Sequence, residues 1–358
     1  VKAGAMLDVS ALSGIINYNP AELVMSAKAG TQLADIEKAL DENGQMLTFE
    51  PMDHRPLLGS KGQPTIGGVF AANVSGPRRL SAGAARDSLL GVRFVNGLGE
   101  VIKSGGRVMK NVTGLDLVKL LGGSYGTLGV MSEVIFKVLP KPETSVTITI
   151  SGLNDAEAAS AMALALAMSV EVSSAAHLPD SVSGQFLGGA LPDGPATLLR
   201  LEGLSESVSV REQKLAEAVS PLGKVTRIDS EASAILWREV RDVLPFTKRQ
   251  DKPVWRVSVA PSAGHQLVAS LRLQTGVDAF YDWQGGLVWL AMEQDAEAEM
   301  IRSFISHLGG GHATLVRASE AVRSAVPVFE PQPAPLAALS ARIKFGIDPH
   351  GIFNPGRM

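Results

Sequence analysis

The sequence predicts an α+β protein of two domains, and three observations carry that expectation. Stretches with strand-like alternation and stretches with helical spacing follow one another through short turns, not in long blocks of one kind. Pro140-Lys141-Pro142 separates two textures and marks a domain boundary. Prolines 327, 331, 333 and 335 form a surface connector ahead of a turn-rich C-terminus, Asp348 to Arg357, whose embedded Ile352 and Phe353 argue for docking over fraying. The expected limits are 1–142, 143–330 and 331–358.

In order, Leu23–Ala29 reads as a strand, Gly30 turns it, and Thr31 is expected to cap a helix carrying Leu33, Ile36 and Leu40 on one face. Pro51 to Pro64 reads as a loop, with Asp53, His54 and Arg55 as surface groups. Gly91 to Ser104 has the alternation and Asn96-Gly97 turn of a hairpin. Thr113 and Asp116 have capping-box spacing, so a short helix is expected from there to Leu121, followed by a long strand from Val130 to Leu139. The second domain opens on a strand at Val146–Ile150 and a helix started by Asn154 and Glu157. Strands near 170–176, 196–202, 255–260, 278–283 and 287–292 alternate with helices near 206–219, 231–243, 265–273 and 295–308. Their order hints at two copies of one unit, without a repeat in the residues. A last helix covers about 336–345.

Composition excludes several classes. The 358 residues carry a net charge of −3, so no basic excess argues for nucleic acid. With no cysteine there is no disulfide, thiol nucleophile, zinc thiolate or iron–sulfur ligation by this chain. No apolar run of about 18 residues predicts a transmembrane segment, and a cytoplasmic protein is expected. The chain opens at Val1 in what reads as mid-domain sequence, so an upstream piece is expected to be absent.

The informative stretch runs from Gly62 to Leu139. Gly62-Gln63-Pro64-Thr65-Ile66-Gly67-Gly68, Ala71 to Gly76, and Gly122 to Val130 are dominated by small residues. Glycine allows close backbone approach and turns that aim successive amides at an anion, which points to a phosphate-bearing cofactor. Gly123, Gly126 and Gly129 have neither the spacing nor the strand-to-helix context of a dinucleotide fingerprint, and no P-loop pattern occurs. Arg78, Arg79 and Arg86 follow the first segment and could contact phosphate or pair with carboxylates.

Pro64-Thr65-Ile66-Gly67-Gly68, Lys110-Asn111 with Thr113-Gly114, Gly123 to Gly129, and Ile352-Phe353-Asn354-Pro355-Gly356 together resemble the vanillyl-alcohol-oxidase-like (PCMH-type) FAD-binding family. Within it the chain looks most similar to the E-type FAD-binding subunits of bacterial glycolate oxidases, through Phe49 to Asp53, Ser75 to Arg79, Val108 to Asn111 and Gly309 to Thr314. The resemblance implies a two-lobed FAD domain, a ferredoxin-like α+β cap over the flavin ring, and a C-terminal segment returning to the FAD domain. It implies cofactor contact by Pro64, Thr65, Ile66, Gly67, Gly68, Ala72, Asn73, Ser75 and Gly76, by Arg86, Lys110 and Asn111, and by Gly126, Thr127, Gly129, Val130 and Asn354. The family's earlier glycine-rich loop would lie upstream of Leu12 to Ile15, and Val1 to Gly4 is at most its remnant. Without a cysteine or a histidine in such a loop, the FAD is expected to be noncovalent.

Oxidation of a 2-hydroxy acid needs a base for the hydroxyl proton, a cation for the carboxylate and the flavin as hydride acceptor. His312, after three glycines, is the candidate base. Arg256, within an apparent strand, is the candidate cation, with Arg238 and Arg241 as alternatives. The family's catalytic subunit carries a histidine-rich metal site, and no His-x-His pair occurs here, so no metal is expected. The expected role is therefore an FAD-bearing subunit that passes electrons. Its expected partners are a related catalytic flavoprotein and an iron–sulfur subunit, peripheral at the inner membrane through that complex. A self-sufficient 2-hydroxy-acid dehydrogenase and a scaffold with a degenerate flavin site stand as alternatives.

Overall fold

The computed structural model describes residues 4–107 and 115–357. The first sheet is built from β1 (Ile15–Asn19), β2 (Val24–Lys28), β4 (Leu89–Val95), β5 (Val101–Gly105) and β6 (Val130–Lys137). It is antiparallel, in the order β1-β2-β6-β4-β5. The short pair β3 (Gln45–Met46) and β7 (Leu139–Pro140) stands apart from it. Helices Leu33–Asp41, Ile66–Ala72 and Leu117–Leu121 bury Ile36, Leu40, Phe70, Val118 and Leu121 against Met25, Val134 and Phe136. The Phe70 ring lies 5.5 Å from that of Phe49 and 5.4 Å from that of Phe136.

Three local expectations change. Thr31 does not cap the first helix: it is buried, and its hydroxyl donates to the Lys28 carbonyl at 2.7 Å and accepts from the Gly14 amide at 2.9 Å. The segment after Pro51 contains a helix, His54–Leu58, because Asp53 accepts the Arg55 amide as its N-cap. The helix expected from Thr113 starts at Leu117, with Asp116 itself capping the Lys119 amide; Thr113 lies outside the described residues.

The second sheet has eight strands: β8 (Thr144–Ser151), β9 (Ser174–Leu178), β10 (Ala196–Gly203), β11 (Lys224–Ile228), β12 (Val254–Val259), β13 (Val277–Asp282), β14 (Leu287–Met292) and β15 (Gly311–Arg317). Its order is β11-β8-β10-β9-β13-β14-β12-β15. Each half is a split βαββαβ unit in the ferredoxin-like order, and the halves meet edge to edge between β9 and β13. The duplication suggested by element order is thus present in topology. One face carries helices Asp155–Ala167, Ser205–Val219, Gly264–Arg272 and Ala298–His307. The other face lies against the first sheet's domain, through Met52, Leu57, Val74 and Leu80.

Strand alternation decides what points at that interface. Val254, Phe280 and Trp289 sit in the core between the domains, so Arg256, Asp282, Arg200 and His312, on the same parity, face it too. A buried clamp of four charges crosses the gap. Arg200 donates to both Glu50 oxygens at 2.9 and 2.8 Å. The Arg78 amide meets Glu50 at 3.0 Å, and the Arg78 Nε meets Glu202 at 2.8 Å. Burial alone would raise the Glu202 pKa, but Arg200 and Arg78 overcome it and hold the carboxyl at about 2. Against the same penalty, Glu50 is held below its ordinary range by the same two arginines.

The C-terminal helix Ala334–Ile347 sets Ile343 and Ile347 on the first core. Buried Asp348 then accepts the Ile352 and Phe353 amides at 3.1 and 2.9 Å and pairs with Lys344, whose ammonium also reaches the Thr127 carbonyl at 2.5 Å. Among the described residues no helix is long and apolar enough to cross a membrane.

Glu50→Gln is expected to lower stability by about 3 kcal/mol, because it leaves buried guanidinium charge uncompensated. Glu22→Gln, which removes an exposed partner of Arg107, should change it by less than about 1 kcal/mol. Urea denaturation of the two variants checks this. Both clamp carboxyls have depressed folded pKa values, so their contribution is complete above the ordinary carboxylate range and is lost as pH falls through the folded values. A Glu50→Gln protein should accordingly lose less stability on acidification than the wild type does.

Candidate functional site: a glycine-lined groove beneath a cationic cap wall

The two glycine-rich segments, some fifty residues apart in sequence, lie side by side. The Gly123 amide donates to the Phe70 carbonyl at 3.0 Å, and the Tyr125 amide to the Ala71 carbonyl at 2.8 Å. Loop Gly122 to Gly126 therefore runs along the C-terminal end of helix Ile66–Ala72. That helix is anchored in turn: Pro64 accepts the Leu33 amide, while the Ile66 and Gly67 amides donate to Thr31 and Ala29.

The glycines divide by what a side chain would meet. A Cβ at Gly67 would lie 2.6 Å from that of Ala29, so this glycine serves helix-to-strand contact. At Gly129 it would lie 2.7 Å from the Val95 carbonyl, and at Gly76 it would strike the Glu50 carbonyl. These three are required by the protein's own packing. Gly68 is exposed and, among the described residues, meets only the Thr65 hydroxyl, at 3.2 Å, so none of these residues explains why it must be small. Ala72, Asn73 and Ser75 are half-buried beside it. Asn73, at φ +51°, ends the helix and accepts the Arg86 amide through its side chain at 2.9 Å, and Ser75 accepts the Ala85 amide at 2.9 Å. The Arg86 side chain is exposed, its stem against Gly122.

At the far end of the groove, Asn354 donates to the Tyr125 carbonyl at 2.7 Å, and its amide nitrogen fills the space above Gly126. Thr127 is buried and held through its hydroxyl to the Ser124 carbonyl, and Val130 begins β6. Ile66 is in the core. Lys110 and Asn111 lie outside the described residues.

The cap wall facing this groove is cationic. Trp283, at φ +52°, donates its indole N–H to the Gly76 carbonyl at 3.0 Å and so bridges the domains. The Arg256 guanidinium lies 4.9 Å from its ring and that of Arg79 lies 5.4 Å from it, both within cation–π range. Arg79 has Asp87 at 3.7 Å, whereas no ion pair to Arg256 is found among the described residues. Burial, opposed by Tyr125 and reinforced by Arg79, lowers the Arg256 pKa.

His312 stands opposite Ser258, beside Arg256 on β12. Partial desolvation and the Arg256 charge lower its pKa, with Glu330 opposing, so the neutral, proton-accepting form prevails at neutral pH. Arg256 also acts on the Tyr125 hydroxyl, which burial drives upward, and the Tyr125 ring packs edge-on against Phe329 at 4.9 Å. The structure thus brings Arg256 and His312 together with Tyr125 of the groove. It takes Arg241 away from this role, since Arg241 pairs with Asp242 at 2.7 Å, and it locks Arg78 into the clamp. A cleft of about 580 Å³ on the outer side of the cap, at Asp155, Asp180 and Arg272, includes none of these residues.

Trp283, Tyr125 and Asp282 do not stand out in the sequence, whereas Arg79 does, as one of the arginines after the first glycine-rich segment. Tyr125 was visible as the one bulky residue inside a glycine run, and Asp282-Trp283 as the polar end of a strand before Gln284-Gly285-Gly286.

A family model described as an FAD binding domain matches residues 1–105. The chain is 36% identical over 366 residues to glycolate oxidase subunit GlcE of Escherichia coli (strain K12), covering 99% of this chain and 87% of that protein. It is 34% identical over 147 residues to glycolate oxidase subunit GlcD of Bacillus subtilis (strain 168), covering 41% of this chain and 30% of that one. The fold matches 4-ethylphenol oxidase from Gulosibacter chungangensis at a TM-score of 0.68 and 14% identity, over 97% of this chain and 78% of that one. On likeness that runs through the whole sequence and the whole fold, the chain belongs to the GlcE family of glycolate oxidase subunits, with a PCMH-type α+β fold and FAD as its cofactor.

Proposed function

We propose that this chain is the FAD-holding, electron-passing subunit of a glycolate or 2-hydroxy-acid oxidase complex, working with a related flavoprotein and an iron–sulfur subunit. The observation that carries the reading is the pairing of the groove with its wall: an exposed Gly68 on one side and a half-buried Arg256 on the other, the first unhindered and the second without a carboxylate partner among the described residues. When bound, FAD supplies the acceptor for a hydride from the hydroxyl-bearing carbon and a store for two electrons. The chain's own residues supply the rest.

The edge from Thr65 to Gly68 and Ala72 to Gly76, with Arg86 and the segment holding Lys110 and Asn111, would hold the phosphates. Gly126 to Val130 and Asn354 would close the groove around the remainder, without a covalent link. Arg256, backed by Trp283, would grip a carboxylate, and neutral His312 would take the hydroxyl proton. The domain limits follow: residues 1–142 and 331–358 build the groove and 143–330 the wall. We assign the chain to the cytoplasmic side, peripheral through its complex. A self-sufficient dehydrogenase is the second reading, favoured by Arg256 and His312 standing on neighbouring strands of one face.

Gly68→Asp is expected to abolish FAD retention, because a carboxylate beside two phosphates is repelled. The 450 nm absorbance of the purified protein should vanish while its circular dichroism is unchanged. Retained flavin would move the phosphates away from Gly68. Anaerobic mixing of the flavin-loaded full-length chain with glycolate separates the two readings. No bleaching alone, and bleaching once the partner flavoprotein is added, is the expected result; bleaching by the chain alone would establish the self-sufficient enzyme. A purified chain that carries no flavin under any condition would make it a scaffold.

A further inference from the structure

Asp282 is an acid that neither the groove nor the clamp uses. It ends β13 on the face turned towards the first domain, 2% exposed, and its carboxylate accepts the Trp283 amide at 2.7 Å. Three charged groups on neighbouring elements act on it: Arg200 on β10, Glu50 ahead of the helix His54–Leu58, and Arg256 on β12. Arg78 and Glu202 are held in the clamp with the first two, and Arg79 stacks on Trp283. On neighbouring β9, His177 points to the opposite face, occupied by Thr197 at 3.0 Å and Asp155 at 3.3 Å.

The clamp is already neutral, with Glu50 and Glu202 against Arg78 and Arg200. A third negative charge at Asp282 has two cations to answer it, Arg200 and Arg256; Arg200 is already committed to Glu50 and Glu202, and among the described residues Arg256 has no ion pair of its own.

We propose that Asp282 is a positioning residue that keeps a proton in reserve behind Trp283, so that Arg256 is left as a free cation for an anionic ligand. This rests on the reading of Arg256 as a carboxylate-gripping group. The protonated acid is neutral and leaves the Arg256 charge exposed to the groove. The ionised acid offsets part of that charge across the Trp283 turn. Burial pushes the Asp282 carboxyl up to about 7, with the Trp283 amide, Arg200 and Arg256 opposing and Glu50 assisting. The sign follows: anions bind best below that value and progressively less well above it. By linkage, binding an anion must favour protonated Asp282, so a proton is taken up with the ligand near neutral pH.

The test is calorimetric titration of the flavin-loaded protein with oxalate, a dicarboxylate without a hydride to give. Wild-type affinity should fall on the order of tenfold between about pH 6 and about pH 8, within the usual range of site-to-site coupling. Buffers of different ionisation enthalpy should report proton uptake near pH 7. Asp282→Asn, which keeps an acceptor for the Trp283 amide, should bind oxalate as the wild type does at low pH and show no such fall. Arg256→Gln should lose binding at all pH values. Binding that needs Arg256 but is flat with pH in the wild type, without proton uptake, overturns the role of Asp282 alone. A fall in Asp282→Asn equal to that of the wild type places the proton elsewhere, at His312, and overturns it too. Absence of oxalate binding in wild type and Arg256→Gln alike overturns the Arg256 reading, and this proposal with it. Should Asp282→Asn not fold, His312→Gln decides: a fall with pH and proton uptake that persist in it keep the proton at Asp282, and their loss overturns the proposal.

Discussion

The site depends on the charge clamp of Glu50, Arg78, Arg200 and Glu202. Four charges taken out of water are tolerable only when each meets its partner at hydrogen-bond distance. That requirement fixes how β10 sits over the segment around Glu50, and hence how the cap's sheet face lies over the groove. Less specific apolar contact could slide, whereas bidentate pairing of Arg200 with Glu50 and the bonds of Arg78 to both glutamates define one register. Trp283 adds a neutral tie by donating to the Gly76 carbonyl, and Gly76 itself admits no side chain because Glu50 and the Arg241 stem crowd it.

With the register set, the cap uses its duplicated topology economically. Two ferredoxin-like halves joined edge to edge give one continuous eight-stranded face, wide enough to cover the groove. Period-two alternation then divides labour residue by residue. On β12, Trp255 and Val257 enter the core beneath the outer helices, while Arg256 between them faces the other domain. On β15, Ala313 and Leu315 go one way and His312 and Thr314 the other. A one-residue slip in either strand would bury the arginine and the histidine among apolar side chains.

The glycines show why small residues are an ambiguous signal. Gly67, Gly76 and Gly129 face backbone or core atoms of the chain itself, so their size is a packing requirement. Gly68 has no such explanation among the described residues, and Gly126 is covered by the C-terminal Asn354. Run together in sequence, these positions look like one binding motif. In space, they are partly structural support and partly the free edge it holds in place.

The sequence alone determined the α+β class, the alternation of strands and helices, the hairpin of β4 and β5, the Asn154–Glu157 capping box, and the family with its cofactor. Each is encoded in residues near one another in the chain, through turn chemistry, periodicity or a contiguous motif. Tertiary structure decided the rest. Thr31 lost its capping role because Gly14 and Lys28, brought together by the sheet, offered its hydroxyl better partners. Arg78 and Arg79 are adjacent in sequence and equal in chemistry, yet one is consumed by Glu202 and the other stacks on Trp283. That choice rests on partners more than a hundred residues away. Local sequence carries no information about the dielectric and charge that a distant segment brings. Which arginine stays free, and which buried acid keeps its proton, was settled only when the two sheets came face to face.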